Sequence, residues 1–317
     1  MATSPPVVAV ANLKGGVGKS TTALMLAEGL AYHYGLHVLL YDFDAQANLS
    51  ETLLTSNGVR RALNQGGGVP AILDTFIPGG DSELGGESPL VDTRTATVIE
   101  ELVQSRDRLD DDGWVSLLPA HPGMRFLEPH LERSPGDGWF EIGDQLGNVI
   151  QEATADVRAQ ADLVLIDCPP HISALCRTGL KLADYYVTPT LAEVLSIWGV
   201  HQFLNWLIHP SMCEWIGHDR DTVPERQFVV CTRYAPRSRA HQRALGQLRA
   251  DWQDRAFSEP IRQRLSLSRE LEREDENSHH HFSGRYRGHV KGDIRRLADS
   301  FSDFMKSRHG TNWQKRR

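Results

Sequence analysis

The residues best suited to chemistry stand together in the run KGGVGKST, residues 14–21. Its three glycines allow backbone dihedrals that turn successive N–H groups toward one point, and a helix starting near Lys19 would add the positive end of its dipole. The run matches the pattern G-x-x-x-x-G-K-[ST] at Gly18, Lys19 and Ser20, whereas Leu13 occupies the place of the first glycine. The sequence therefore predicts a phosphate-binding loop.

This loop is of the kind that holds a nucleotide with Mg²⁺. In the pattern the lysine reaches the β- and γ-phosphates and the adjacent hydroxyl binds the metal, which gives these roles to Lys19 and Ser20. A glycine-rich turn without a nucleotide is the alternative, but the preceding apolar run and the following helical pattern disfavour it. The predicted nucleotide-binding residues are Lys14, Gly15, Gly16, Val17, Gly18, Lys19, Ser20 and Thr21.

Three carboxylates complete the candidate site. Asp167 ends the apolar run LVLI, where it can hold a metal-bound water beside the phosphates. We therefore predict Ser20 and Asp167 as the magnesium residues, the latter through water. Asp42 and Asp44 follow the apolar run HVLLY, and their spacing on an extended chain points both side chains the same way. We predict that both face the γ-phosphate and that one of them positions the attacking water.

These residues lie at the ends of elements that the hydrophobic pattern predicts. Strand, glycine loop, helix and strand follow one another over about 40 residues as a βαβ unit, and near-continuous apolar strands are typical of a parallel sheet. The predicted fold class is α/β, a mostly parallel twisted sheet with helices on both faces. Strands are predicted at 7–11, 37–41, 163–166, 185–188 and 228–231, and helices from Lys19 to the stop at Gly35 and at 145–159, 194–207, 240–252 and 294–305.

The chain is organised as one domain over residues 1–317, because it contains neither an internal repeat nor a strong linker. Residues 56–122 are turn-rich and polar and are predicted to be a peripheral excursion.

At 40% hydrophobic residues the chain is typical of a globular protein, and no run approaches 18 apolar residues. Its start lacks the pattern of a signal peptide, so we expect a cytoplasmic protein. Its four cysteines form no metal-binding spacing and are predicted to be reduced structural thiols.

Charge is unevenly distributed along the chain. Residues 233–317 hold 20 Lys and Arg against 11 Asp and Glu, a net +9, whereas residues 1–232 hold 14 against 30, a net −16. A basic end on an acidic protein suits a polyanion such as nucleic acid or an anionic membrane, and a solvated charged face is an equally weighted alternative.

Four motifs in this order resemble those of the deviant Walker-A ATPases of the ParA/MinD family, and most closely the ParA-type, Soj-like partition ATPases. Fainter similarity continues beyond them and spans most of the chain outside residues 56–110 and the tail. One mild departure is Ala45, which stands where ParA-type proteins usually carry proline. The motifs are KGGVGKST at 14–21, LLYDFDAQANLS at 39–50, VSLLPA at 115–120 and ADLVLIDCPP at 161–170.

The resemblance implies an ATP hydrolase that uses Mg²⁺ and dimerises on binding ATP. Lys14 matches the signature lysine that reaches the nucleotide of the other subunit, and Lys19 matches the lysine that serves its own. Asp44 matches the carboxylate needed for hydrolysis, Asp42 the acidic residue before it, and Asp167 the Walker-B residue. Lys14, Lys19, Asp44 and Asp42 are therefore the predicted catalytic residues.

The same resemblance implies a cytoplasmic, nucleoid-associated protein whose ATP-bound dimer binds DNA without sequence preference. Together with a ParB-like centromere-binding protein it would segregate a plasmid or chromosome. Ordinary surface residues or internal salt-bridge partners are the alternative for its exposed arginines. The candidate DNA-binding residues are Arg233, Arg237, Arg239, Arg243, Arg262 and Arg264.

A second function within the family is the positioning of a membrane-associated or cytosolic assembly. MinD-type relatives end in an amphipathic membrane helix, and residues 294–305 do carry an apolar stripe beside basic residues. A final helix packed on the core explains the stripe more simply, so we expect no membrane partner. A nucleotide-dependent scaffold that does not hydrolyse ATP and an iron–sulfur carrier are further alternatives, and the absence of paired cysteines disfavours the latter.

Overall fold

The computed structural model describes residues 4–64, 67–74, 113–131, 138–263, 286 and 288–315. Within the predicted excursion at 56–122, residues 75–112 fall outside this part of the chain. Residues 56–64 of that range belong to a helix and residues 114–118 form a strand. The division of the chain into one domain with an excursion stays a prediction.

Six parallel strands form one sheet, which confirms the predicted α/β fold class. The strands are β1 Val7–Val10, β2 His37–Asp42, β3 Trp114–Leu118, β4 Leu163–Asp167, β5 Tyr185–Leu191 and β6 Gln227–Thr232. Their order across the sheet is β3-β2-β4-β1-β5-β6. All the pairings are parallel.

Helices connect the strands, as parallel pairing requires. The helices are α1 Lys19–Tyr34, α2 Asn48–Asn64, α3 Val69–Asp74, α4 Met124–Leu131, α5 Gly138–Ala153, α6 Ala155–Gln160, α7 Ala174–Leu182, α8 Val194–Leu207, α9 Pro210–Ile216, α10 Val223–Arg226, α11 Arg239–Trp252 and α12 His289–His309. The single helix predicted at 145–159 is thus two helices, α5 and α6, separated at Thr154.

Both faces of the sheet are covered, which explains the unbroken apolar runs of its strands. Val8 and Val10 of β1 belong to the apolar cluster that includes α1 and α12. Val7 and Ala9 belong to the opposite cluster, which includes α5 and α7. The four cysteines are buried free thiols, as predicted.

The apolar stripe of α12 lies in the core. Ile294, Phe301 and Met305 have no exposed surface, and they pack with side chains of α1. Gly29 of α1 permits this approach, because a Cβ atom there would lie 2.8 Å from the Ile294 Cγ2 atom. The interpretation of residues 294–305 as a helix packed on the core is thus confirmed. Across the described part of the chain, no helix has both the length and the apolar character needed to cross a membrane.

Candidate functional site

The loop between β1 and α1 has the geometry of an anion site. Gly16 and Gly18 adopt positive φ angles of 73° and 87°, which residues with a Cβ rarely do. Gly18 is the N-cap of α1, and no side chain caps the helix there. The first N–H groups of α1 are therefore left for a ligand, at the positive end of a 16-residue helix. The predicted residues 14–21 all lie in this loop and first turn.

Two buried side chains hold this loop from either side. Asn12 accepts a hydrogen bond from the Lys14 N–H group at 2.9 Å and donates one to the Pro189 carbonyl of β5 at 2.8 Å. Thr232, the last residue of β6, donates its hydroxyl proton to the Val17 carbonyl at 2.7 Å, and its oxygen lies 3.2 Å from the Thr190 carbonyl. The loop is thus attached to β5 and β6 by side-chain hydrogen bonds.

Lys19 and Asp167 form the interior of the site. Lys19 is only 6% exposed, and its ammonium group lies 3.4 Å from the Lys14 carbonyl oxygen. Burial lowers the pKa of Lys19, and the carboxylates of Asp167 and Asp44 oppose that effect. Burial, and then the neighbouring Asp42 carboxylate, raise the pKa of Asp167 well above its usual value. Ionisable groups thus lie together in a buried place where little water stabilises their charges, which is typical of a ligand site.

Asp167 also has unused hydrogen-bonding capacity. Both of its carboxylate oxygens are buried, and neither forms a well-aligned hydrogen bond with another described residue. The Ser20 hydroxyl is close enough to lower the pKa of Asp167. Among the described residues, no group of three or more His, Cys, Asp or Glu side chains could hold a metal ion by itself. A hydroxyl and a carboxylate of this kind suit Mg²⁺ that keeps waters and phosphate oxygens as its other ligands.

Asp42 is engaged in holding the loop that follows β2. One carboxylate oxygen accepts the Ser50 N–H group at 2.9 Å and the Ser50 hydroxyl at 2.6 Å, and the other accepts the Asp44 N–H group at 3.1 Å. The Ser50 hydroxyl oxygen in turn accepts the Ala120 N–H group at 2.8 Å. Burial raises the pKa of Asp42 to about 7 despite these donors. Asp42 is fully buried and Asp44 is 7% exposed. That both carboxylates face the γ-phosphate stays a prediction.

Asp44 lies nearer to solvent than Asp42. Its carboxylate accepts the Gln46 N–H group at 2.9 Å, and its side chain contributes to the wall of a groove of about 360 Å³. Arg125 of α4 and His171, in the loop after β4, line the same groove. Asp44 is 7% exposed, whereas Asp42 has no exposed surface. The Asp44 carboxylate lies close enough to Lys19 to oppose the lowering of the Lys19 pKa.

Lys14 lies outside the interior that contains Lys19. Its ammonium group donates to the Ser196 hydroxyl oxygen at 2.6 Å and lies 3.8 Å from the Glu193 carboxylate, at the start of α8. Its side chain is 40% exposed. The two lysines of the loop therefore occupy different environments, one buried and one at the surface.

Five of the six arginines predicted to bind DNA lie in the described part of the chain, and all five are exposed. Arg239 and Arg243 lie four residues apart on α11, on one face of that helix, and Arg233 has a positive φ of 50° in the loop after β6. Arg233, Arg237, Arg239, Arg243 and Arg262 are exposed, and none forms an ion pair with another described residue. The sixth candidate, Arg264, falls outside the described residues.

Four residues of this site are not among those predicted from the sequence: Asn12, Ser50, Thr232 and Ser196. Asn12 and Thr232 follow apolar strand residues at the carboxyl ends of β1 and β6. These strand ends meet at one edge of a parallel sheet, so a polar residue at each was a signal that could have been used. Ser50 and Ser196 lie within helices and carry no comparable signal.

Comparison with known proteins relates this chain to a family. A family model described as an AAA domain, AAA_31, matches residues 6–209. The chain is 30% identical over 261 residues to the chromosome-partitioning ATPase Soj of Thermus thermophilus, covering 82% of each chain. It is 26% identical over 264 residues to the chromosome partitioning protein ParA of Caulobacter vibrioides, covering 83% of this chain and 82% of that one.

Solved structures share the fold. A putative plasmid partition protein from Borrelia burgdorferi, bound to AMPPNP, superposes with a TM-score of 0.62 at 18% identity, over 95% of this chain and 99% of that one. Cobyrinic acid a,c-diamide synthase from Mycobacterium smegmatis, with a bound ATP analogue and magnesium, gives a TM-score of 0.56 at 22% identity, over 99% and 100%. At these identities the likeness concerns the fold alone.

Proposed function

Since this chain belongs to the AAA_31 family of AAA domains and to the ParA and Soj partition ATPases, we propose that it hydrolyses ATP to move DNA. In this proposal the protein dimerises on binding ATP and binds DNA without sequence preference as a dimer. It then partitions a plasmid or chromosome with a ParB-like centromere-binding protein, in the cytoplasm on the nucleoid. The observation that carries the proposal is the contrast between Lys19, buried beside Asp167, and Lys14, exposed in the same loop.

ATP fits the site as its residues stand. The uncapped N-terminus of α1 and the backbone of residues 15–21 offer N–H donors to the phosphates, and Lys19 offers its ammonium group. Ser20 and Asp167 would hold Mg²⁺, the carboxylate through water, which would give the buried Asp167 oxygens well-aligned hydrogen-bond donors. When bound, the metal ion neutralises phosphate charge and orients the phosphate oxygens.

Asp44 is the residue that we propose to position the attacking water. Asp44 lines the groove and is 7% exposed, whereas Asp42 is fully buried, so Asp44 is the better placed of the two to accept a proton or a hydrogen bond from water. Asp42 acts through Asp44, because it holds the Asp44 N–H group and anchors Ser50. We therefore propose Asp42 as a positioning residue in place of a direct catalytic role.

Lys14 is suited to a second subunit. Its ammonium group is exposed, and its neighbours at the start of α8 present an apolar surface: Val194, Leu195 and Trp198 are 77%, 77% and 60% exposed. Contiguous exposed apolar side chains are typical of association surfaces. A cation delivered by the partner would neutralise charge that develops on the phosphates, as an arginine finger does. These observations support a homodimer with ATP between the subunits.

The exposed arginines support the DNA step. Each contact between an arginine and a phosphate releases counterions, so binding is expected to weaken steeply with salt. The alternative of a membrane-associated cargo carrier has less support, because the stripe of α12 that could enter a membrane surface is buried against α1.

The proposal is tested by a gel shift on random-sequence DNA and by co-sedimentation with anionic liposomes, each with and without ATP. We expect an ATP-dependent DNA shift that disappears with rising salt, and no liposome binding. Replacing Arg239 and Arg243 with alanine should weaken the shift, whereas ATP hydrolysis without DNA stays unchanged. ATP-dependent liposome binding without a DNA shift would overturn the proposal.

A further inference from the structure

We propose that Glu193 and Ser196 hold Lys14 within the free subunit, and that this contact competes with the reach of Lys14 to a second copy of the chain. The inference rests on the proposed function for the role of the second copy. It assigns to the start of α8 a control over when Lys14 becomes available. Glu193 and Ser196 are positioning residues in this scheme, because they act through Lys14.

The contact is a closed set of three side chains. The Lys14 ammonium donates to the Ser196 hydroxyl oxygen at 2.6 Å and lies 3.8 Å from the Glu193 carboxylate. The Ser196 hydroxyl donates a hydrogen bond to the same Glu193 carboxylate at 3.3 Å. The serine hydroxyl therefore bridges the carboxylate and the ammonium group. The Ser196 side chain is 1% exposed and therefore fixed in place, whereas Lys14 and Glu193 are 40% and 54% exposed.

The main chain of Lys14 is fixed separately. Its N–H group is bound by Asn12, which is tied to β5 through the Pro189 carbonyl. Only the side chain must therefore change direction for the ammonium to reach another subunit. A lysine side chain has four rotatable bonds and can do so without movement of the loop.

The same turn of α8 carries the exposed apolar residues Val194, Leu195 and Trp198. A second copy that covers this turn would approach the contact of Lys14 with Ser196. Association would thus remove apolar surface from water at the place where the ammonium must leave its internal partners. In a two-fold dimer both subunits break this contact, so its effect on the dimer dissociation constant is squared.

The expected effect follows from the strength of such contacts. A hydrogen bond to a charged group on a half-exposed side chain changes an equilibrium by about fivefold, and more when it is buried. Removing the contact should therefore strengthen dimerisation by about 25-fold, since two subunits contribute.

The first measurement does not depend on dimerisation. The rate of amine labelling at Lys14 is measured by mass spectrometry in the nucleotide-free protein, with the exposed Lys306 of α12 as the internal reference. Ser196→Ala and Glu193→Gln should each raise the Lys14 rate about fivefold. Glu225→Gln is the matched control, because Glu225 is 55% exposed and pairs with Arg308 away from the loop. Equal Lys14 rates in all variants would overturn the inference.

The second measurement is the ATP-dependent dimer dissociation constant, by analytical ultracentrifugation in an Asp44→Ala background that retains ATP. We expect it to fall about 25-fold with Ser196→Ala or Glu193→Gln and to stay unchanged with Glu225→Gln. If Lys14 is labelled faster in these variants but the dimer is unchanged or weaker, the contact of Lys14 with Glu193 and Ser196 does not compete with dimerisation. If the Asp44→Ala parent does not dimerise with ATP, the proposed function fails, whereas the labelling result still decides whether Glu193 and Ser196 hold Lys14.

Discussion

Thr232→Val tests whether the phosphate-binding loop is held in its binding geometry by the end of β6. The hydroxyl of Thr232 donates to the Val17 carbonyl at 2.7 Å, between residues separated by 215 positions in sequence. Its methyl group would lie 3.8 Å from a Cβ atom built on Gly18, so the side chain packs directly against the loop. Valine keeps this shape and removes only the hydroxyl.

The magnitude follows from the burial of both partners. Val17 is fully buried and Thr232 is 4% exposed, so no water replaces the lost donor. Losing such a bond costs about 1–3 kcal/mol in the free energy of unfolding. At about 2.1 cal/mol/K per residue, unfolding of 317 residues has an entropy of about 0.7 kcal/mol/K, so Tm should fall by about 1.5–4.5 °C.

The assay pairs thermal unfolding with ATP titration. Because the loop would also lose its preferred geometry, we expect Thr232→Val to bind ATP about 5- to 10-fold more weakly. Thr232→Ser is the control, since it keeps the hydroxyl and removes the methyl group. If Thr232→Val matches both wild type and Thr232→Ser in Tm and in ATP affinity, the Val17 hydrogen bond does not organise the loop.

The remaining predictions concern ATP hydrolysis, dimerisation and core packing. Asp44→Ala should keep ATP-induced dimerisation and lose turnover, and unchanged hydrolysis by this variant would refute the role given to Asp44. Lys14→Ala should lose ATP-dependent dimerisation or hydrolysis while still binding nucleotide through Lys19, whereas wild-type behaviour would show that Lys14 serves no second subunit. Gly29→Ala should lower the free energy of unfolding by about 1–2 kcal/mol, because its Cβ would lie 2.8 Å from the Ile294 Cγ2 atom. Gly246 lies in a helix where an added Cβ atom would meet nothing within 4 Å, so Gly246→Ala should instead raise the free energy of unfolding by about 0.5–1 kcal/mol. Both values are measured by chemical denaturation, and equal losses at the two sites would contradict the packing of α1 against α12.

The parts of the fold that were predictable are those that depend on local pattern. The first βαβ unit appears with the predicted strands, and α1 ends at Gly35, which has a φ of 67°. Helix α8 runs over Val194–Leu207, the predicted range. In each case a local hydrophobic period decides the structure within a few residues, and in α1 a glycine also fixes the end of the helix.

Part of the site was predictable for a related reason. Parallel strands bring their carboxyl ends to one edge, so apolar runs that end in Asp42 and Asp167 predict their meeting. In the sheet these two residues are direct register partners, and Val10, just before the phosphate-binding loop, also pairs with Asp167. The two-residue spacing of Asp42 and Asp44 does not predict that Ser50 donates to Asp42, because the extended strand β2 ends at Asp42 and Ser50 lies in the following helix.

The phosphate-binding loop, the parallel sheet and the carboxylates at its edge follow from residue type and short-range spacing alone. The partners of these residues follow instead from the way that distant elements pack together. Lys14 meets Ser196 across 182 positions of sequence, and the stripe of α12 is buried because Gly29 admits Ile294. Contacts of this kind depend on how distant elements dock, and no local pattern encodes the distance between two side chains that far apart.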